Sequence, residues 1–449
     1  MQADVTASDS PRGGLAAIVS LAWPILLGSA SMAVLEFAER IFLGNYSESA
    51  LAASLPGSMM ASTFTVVLIT AIGYSATFVA QYHGAGKNDS AASALFQGLW
   101  LALFSLPLFL ALIPIGQVII RIADHAPAVR KDELTFFISY VFVGIASTFS
   151  TVLGGFFSGQ GRTRLVGFAT AAGCACALVL DPVLIFTLDL GTIGAGIASV
   201  TSFVVTALIL GIYAIRDPLI IRVRGTKFVA FRPQLALRIL RFGLPLGFAA
   251  LVANGTFAFF MAVFGRFGAE TLALGNACFA IHALVFNAIC AISAATLILS
   301  ARFFGNGDIS AVRRSVRTAG LLAIGVSLAF FGLLLPFARL VLSAFGCAHT
   351  GGQTVLGVSF LALMAVRDAF EALQLVLSSG LRGVGDTRFV LFARLLASGL
   401  VWTPLFLIAA QAVNSILIWA TMPVAFALHA LVLYLRWRGK RWTSMRLSD

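Results

Sequence analysis

The sequence predicts an all-α polytopic membrane protein, with twelve transmembrane helices in two six-helix bundles related by a pseudo-two-fold axis along the membrane normal. Three observations lead there: 449 residues of which 59% are hydrophobic and 11% charged, apolar runs of span length along the whole chain, and motifs repeated between the two halves. So few charged side chains cannot coat a soluble globule of this length, and a mean hydropathy of +0.98 excludes an ordinary soluble enzyme. Each run of about 20 apolar residues can cross a hydrocarbon core roughly 30 Å thick as a helix. Strands of an outer-membrane barrel would alternate over about 10 residues, and these runs do not. The 42 Gly, 39 Phe and 13 Pro suit helices that pack closely and bend in lipid.

Apolar runs read against polar breaks place the spans at 16-43, 54-82, 95-121, 135-158, 165-189, 192-215, 237-265, 272-303, 317-345, 355-380, 388-411 and 413-436. The first run is of full span length with no small-residue cleavage site after it, so a retained helix is expected rather than a signal peptide. With both termini cytoplasmic, 23 of the 30 Lys and Arg fall inside, among them Arg12, Lys87, Arg162, Arg164, Arg382, Arg388 and Arg446. Five lie outside, and Arg40 and Arg367 fall within spans. That asymmetry is the positive-inside pattern of a multi-pass inner (plasma) membrane protein. The net charge of +12 is therefore topological, and no nucleic-acid partner is expected, since no soluble domain collects the basic residues. The expected organisation is a cytoplasmic tail at 1–15, a six-helix lobe at 16–215, a basic linker at 216–236, a second lobe at 237–436 and a basic tail at 437–449. Cys174, Cys176, Cys278, Cys290 and Cys347 lie in or beside apolar segments, with neither a disulfide framework nor zinc spacing.

The halves repeat. Pro24 and Gly44 recur 221 residues later as Pro245 and Gly265, and Gly84 and Gly86 recur as Gly305 and Gly307. GQGRTR at 159–164 recurs as GVGDTR at 383–388, a shift of 224. Several matches in one order indicate a duplicated six-helix unit. Because six is even, each half begins and ends on the same side, which places the relating axis along the membrane normal and suits alternating access to a cleft between two bundles.

The same segments resemble those of the multidrug and toxic compound extrusion (MATE) transporters: Pro24 with AERIFLG at 38–44, AQYHGAGK, FFSGQGRTR, LVLDPVLIF and SGLRGVGDTR. The resemblance covers about 16–436. It implies a two-lobed, twelve-helix antiporter that expels organic compounds against inward H+ or Na+. Glu39 stands where the family usually has Asp, and Ala177 where an Asn is common four residues before Asp181. Ala253 and Asn254 occupy the neighbourhood in which some members carry a seventh-span acid, and Glu371 matches the tenth-span acid. Ser199 matches a family hydroxyl of the first-lobe ion site.

Ionisable groups inside spans cost at least about 2.5 to 3.5 kcal/mol each on insertion scales, so they are functional candidates. They are Glu36, Glu39, Arg40, Asp181, His282, Arg367, Asp368, Glu371 and His429. Glu36 and Arg40 are spaced to pair, leaving Glu39 as the free acid. Carboxyls in a low-dielectric site favour the neutral form more than in water, which suits proton exchange. Asp181 precedes Pro182, where a lost backbone bond can open a polar pocket. Arg367 and Glu371 are also spaced to pair, with Asp368 adjacent. His282 and His429 stand singly on apolar helices, where packing roles are favoured. Met59, Met60, Phe259, Phe260 and Met261 can line an apolar drug pocket or simply pack.

These residues predict an exporter of amphipathic, cationic organic compounds, with Glu39, Asp181 and Ser199 coupling transport to inward H+, Na+ being the alternative ion. Glu36, Asn254, Asp368 and Glu371 are the substrate-binding candidates, and Pro24, Arg40 and Arg367 the conformational ones. GAGK at 84–87 lacks phosphate-loop spacing, so neither ATP hydrolysis nor a cofactor is expected, and the loop arginines are expected to hold headgroups or cap helix ends. A monomer in the bilayer is expected. A flippase for lipid-linked saccharides is the nearest rival and would need a strongly cationic cleft. A membrane-embedded enzyme would need clustered catalytic groups at one interface, which the short loops do not supply.

Overall fold

A computed structural model describes residues 13–123, 127–345, 351–411 and 414–445. Arg12, Cys347 and Arg446 lie outside the described residues, as does nearly all of the 1–15 tail.

The first half runs α1 (Leu15–Tyr46), α2 (Glu48–Gly73), α3 (Ser75–Gly84), α4 (Asn88–Phe104), α5 (Leu106–Ala123), α6 (Pro127–Gly159), α7 (Thr163–Pro182) with a π-helical turn at Val183–Thr187, and α8 (Gly191–Ile215). A short α9 (Pro218–Val223) follows, then α10 (Pro233–Phe264), α11 (Ala269–Gly305), α12 (Ile309–Leu334), α13 (Ala338–Ala344) and α14 (Gly351–Val384). The chain closes with α15 (Thr387–Arg394), a π-helical stretch at Leu395–Trp402, α16 (Thr403–Gln411) and α17 (Ser415–Arg438). Among the described residues, eleven helical stretches are long and apolar enough to cross a membrane. The span expected at 355–380 coincides with α14, which carries Arg367, Asp368, Glu371 and Arg382 and so falls outside that set.

The chain packs as two compact units, Trp23–Leu251 and Met1–Ala22 with Val252–Asp449. The division runs through α1 and α10 rather than through the basic segment 216–236. That segment is fastened to its own unit. The Gln97 amide donates to the Ala230 carbonyl at 2.9 Å and accepts from the Arg232 N–H at 2.7 Å. The Trp100 indole donates to the Val229 carbonyl at 3.1 Å, and Arg222 pairs with Asp89 at 3.2 Å.

Within the first unit, Leu43, Ala50, Ala53, Phe136, Ile185 and Ala195 form one buried cluster, and Ala61, Phe109, Phe137 and Val141 another. In the other unit the core is aromatic: Phe360 and Trp419 stack at 4.4 Å, beside Phe260, Phe264 and Phe279. Phe260 is thus a packing residue, while Met59 and Phe259 are exposed.

The repeated glycine motifs adopt one local structure four times. Gly86, Gly161, Gly307 and Gly385 have φ of 72°, 82°, 77° and 98°, the left-handed region where a Cβ is penalised. Around Gly86, the Lys87 N–H bonds the Tyr82 carbonyl and the Gly86 N–H bonds the His83 carbonyl, closing α3 in a Schellman motif. Asp308 to Phe303, Arg162 to Phe157 and Asp386 to Leu381 repeat the longer of these bonds at the ends of α11, α6 and α14.

Candidate functional site

Three helices build the polar site of the first unit. Pro24, buried inside α1, removes one backbone hydrogen bond from that helix. Beside it α7 presents Gly167, where a Cβ would run into the Pro24 carbonyl, so only glycine admits this approach. Four turns further along α1, Glu39 is 4% exposed and its Oε2 accepts a 3.0 Å hydrogen bond from the Ser199 hydroxyl of α8. The Tyr140 hydroxyl of α6 approaches the same serine. Asp181, 1% exposed at the end of α7, has no hydrogen-bond partner for either carboxylate oxygen and lies within electrostatic reach of Glu39. Pro182 follows it and the backbone relaxes into the π-helical turn. The structure therefore brings together Glu39, Asp181 and Ser199 from three separate helices.

The expected pair between Glu36 and Arg40 is not made. Among the described residues no ion pair within 4.0 Å joins them, and both are exposed on α1 while Glu39 points inward. Glu36, Glu39, Arg40, Ser58 and Tyr140 line a cavity of about 20 Å³. A single water needs roughly 10–15 Å³ by this measure, so the space admits a water or a small ion and no organic compound.

The second unit holds a denser polar cluster. Arg367 on α14 donates to Asp368 Oδ1 at 2.8 Å and to Glu371 Oε1 at 3.2 Å, the latter being the expected i, i+4 pair. His282 on α11 sits against all three: its Nδ1 is 2.8 Å from Asp368 Oδ2, its Nε2 is 3.8 Å from Glu371 Oε2, and Arg367 Nη1 is 3.2 Å from both ring nitrogens. The guanidinium also lies 4.5 Å from the centre of the Phe426 ring. His282, Asp368 and Glu371 could together hold a metal ion, but Arg367 already supplies positive charge to both carboxylates. Both oxygens of Asp368 are taken. Asn254 on α10 is exposed and makes no side-chain hydrogen bond among the described residues.

His282 was not legible as a partner of these acids, because 86 residues separate it from Asp368. Its isolation on an apolar stretch gave no signal. Tyr140 carried none either. His429 is 2% exposed and its Nε2 is unpartnered, consistent with packing.

Of the loop arginines expected to hold headgroups or cap helix ends, Arg162 forms a pair within the protein. Arg162, just after α6, pairs with Asp217 at 2.6 Å and lies 4.9 Å from the Phe157 ring. In the second half the position equivalent to Arg162 is Asp386, which pairs at 2.6 Å with Arg436 near the end of α17. Arg436 in turn lies 4.8 Å from the Phe389 ring. The staple is conserved in place between halves with its charges exchanged.

The sequence profile described as MatE matches residues 24–183 and again residues 245–408. The chain belongs to the MATE family. The two matches begin 221 residues apart, the offset between Pro24 and Pro245. Among curated proteins it is 27% identical over 404 residues to the probable multidrug resistance protein NorM of Deinococcus radiodurans, covering 86% of each chain. It is 28% identical over 408 residues to the Pseudomonas aeruginosa protein of the same description, covering 87% of this chain and 82% of that one. Among solved structures it superposes on MATE in the bent conformation with a TM-score of 0.83 at 21% identity, covering 96% and 95% of the two chains. The straight conformation gives 0.82 at 22% identity over 96% of each. As a MATE protein the chain is a multi-pass membrane transporter of secondary type and not an enzyme.

Proposed function

We propose that the protein exports amphipathic, cationic organic compounds in exchange for inward protons by alternating access. The proposed setting is an inner membrane that twelve helices cross with both termini cytoplasmic. The observation that carries this is Asp181, a carboxyl buried in the bilayer region with neither oxygen partnered, beside Glu39. An unpartnered carboxylate in a low-dielectric interior is costly, so the site calls for a positive charge, and the adjoining cavity of about 20 Å³ is ion-sized. A proton needs one oxygen, whereas a hard metal cation needs several oxygen ligands. Ala177, fully buried where the family commonly has Asn, removes one such ligand, which favours H+ over Na+. Proton arrival at Glu39 and Asp181 would weaken the Ser199 bond and let α1 rearrange about Pro24. Exchange of one proton for one monovalent cation moves no net charge, so the pH gradient supplies the drive, about 1.4 kcal/mol per tenfold difference in proton concentration, and each further inward proton would add about 2.3 kcal/mol per 100 mV. The NorM relatives, described as multidrug resistance proteins, support an organic substrate.

The test is efflux of a fluorescent lipophilic cation from proteoliposomes under an imposed pH gradient, then under a sodium gradient, with Glu39→Gln in parallel. Proton-driven efflux that disappears in the variant is expected. Wild-type efflux by Glu39→Gln would falsify the coupling role, and a response to sodium alone would overturn the choice of ion.

A further inference from the structure

At the end of α3 and the starts of α4 and α10, the first unit has a half-open cavity of about 630 Å³ that shares no lining residue with the one beside Glu39. Tyr82, Ser90, Ser93, Arg232, Gln234 and Arg238 supply its polar wall, and no carboxylate lines it. Among the described residues neither Arg232 nor Arg238 has an ion-pair partner, unlike Arg222 nearby, which is neutralised by Asp89. Arg232 is held in place instead, its guanidinium 4.7 Å from the centre of the Phe228 ring and its backbone fixed by Gln97. Both guanidiniums lie within electrostatic reach of the Tyr82 hydroxyl. Ser93, among the lining residues, is fully buried and its hydroxyl has no hydrogen-bond partner. Two helix starts add to the same field. Ser90 and Ser93 belong to the first turns of α4, whose N-terminus has no side-chain cap and carries Asp89 paired with Arg222, and Gln234 follows Pro233, the first residue of α10. Helix starts present free N–H groups and the positive end of the dipole.

Unpaired guanidiniums, hydroxyl donors, two helix N-termini and an acid-free wall are complementary to a phosphate group. The size exceeds that of a simple ion and falls in the range of small-molecule pockets, roughly 300–1,000 Å³. The surroundings indicate where the phosphate comes from. Trp100, Phe104 and Phe231 form a contiguous aromatic group beside the cavity, with Phe104 and Phe231 52% and 40% exposed, as in the aromatic belt at a membrane interface. We propose that this cavity is a binding site for the phosphodiester headgroup of an anionic membrane phospholipid, held by Arg232, Arg238 and Ser93. The site is separate from the coupling carboxylates, so its test does not depend on the transport mechanism.

Thermal melting of the purified full-length protein in neutral detergent tests it, with dioleoyl phosphatidylglycerol, dioleoyl phosphatidylcholine or inorganic phosphate added at matched ionic strength. Phosphatidylglycerol should raise the melting temperature above that with phosphatidylcholine. The half-saturating concentration should rise about twenty-five-fold in R232Q/R238Q, at about fivefold per arginine. In S93A, which leaves the charge unchanged, it should rise about fivefold. The control R314Q/R317Q, two exposed arginines of α12 outside the cavity, should behave as wild type. Equal protection by phosphatidylglycerol and phosphatidylcholine overturns the proposal, and so does equal weakening by the control pair. If R232Q/R238Q does not fold, an unchanged response in S93A overturns it. Protection by inorganic phosphate equal to that by the lipid would keep the phosphate site and overturn its assignment to lipid.

Discussion

A single hydrogen bond and a bare carboxyl define the chemistry at residue scale. Ser199 donates to Glu39 while Asp181 has no donor at all, so the two acids differ in environment although both are buried. Ser199→Ala removes one bond of about 1 kcal/mol, and proton-driven efflux should shift in its pH dependence without disappearing. A pH profile identical to wild type would show that the serine is only packing. The Arg367 cluster calls for a different measurement, because one guanidinium serves two buried carboxylates. Arg367→Gln leaves Asp368 and Glu371 buried without their cation, and a loss of about 3–5 kcal/mol is expected. Converting all three to Gln and Asn removes the charges together and should recover much of that stability. Both outcomes are read from unfolding of the purified protein, and equal losses in the single and triple variants would contradict the account.

At the scale of elements, the chain ends its helices with the same device wherever the duplication recurs. Four Schellman turns place a glycine in the left-handed region, and two of them are followed by a residue of the staple, Arg162 in one half and Asp386 in the other. Because charges are exchanged between halves, what is preserved is the pairing and not the residue. The staples differ in burial: the Arg162 side chain is 45% exposed and that of Arg436 17%. Solvent screens the first more strongly, so Arg436→Ala should lower the melting temperature more than Arg162→Ala. Reversing both charges in one staple, Asp386→Arg with Arg436→Asp, should restore stability lost in either single reversal. Failure of the double variant to recover would mean that the aromatic contacts, rather than the charges, hold the loop.

At the scale of the whole molecule, duplication and charge asymmetry together predict one orientation. An even number of spans per half would return each half to the same face, and the basic residues gather there. With the five native cysteines replaced by Ser, a membrane-impermeant thiol reagent should label Lys440→Cys in inverted vesicles and not in intact cells; the reverse pattern would invert the topology. The segment 216–236, basic and placed between halves, belongs structurally to one unit through Gln97 and Trp100.

The sequence by itself determined the helical membrane class, the duplication and four of the buried acids, Glu39, Asp181, Asp368 and Glu371, while the fifth it offered, Glu36, is exposed. Each of these rests on local information: apolar length, glycine and proline placement, and the cost of a charge in lipid. It also determined the Arg367–Glu371 pair, because four residues on one helix are necessarily neighbours. Tertiary packing alone decided which acid is solitary. Spacing permitted Glu36 to pair with Arg40, yet the orientation of α1 leaves both exposed and turns Glu39 toward Ser199, 160 residues away. It likewise brought His282 to Asp368 and assembled the basic cavity from α3, α4 and α10. Helix periodicity specifies which residues share a face, but only packing against other helices selects the face that is buried.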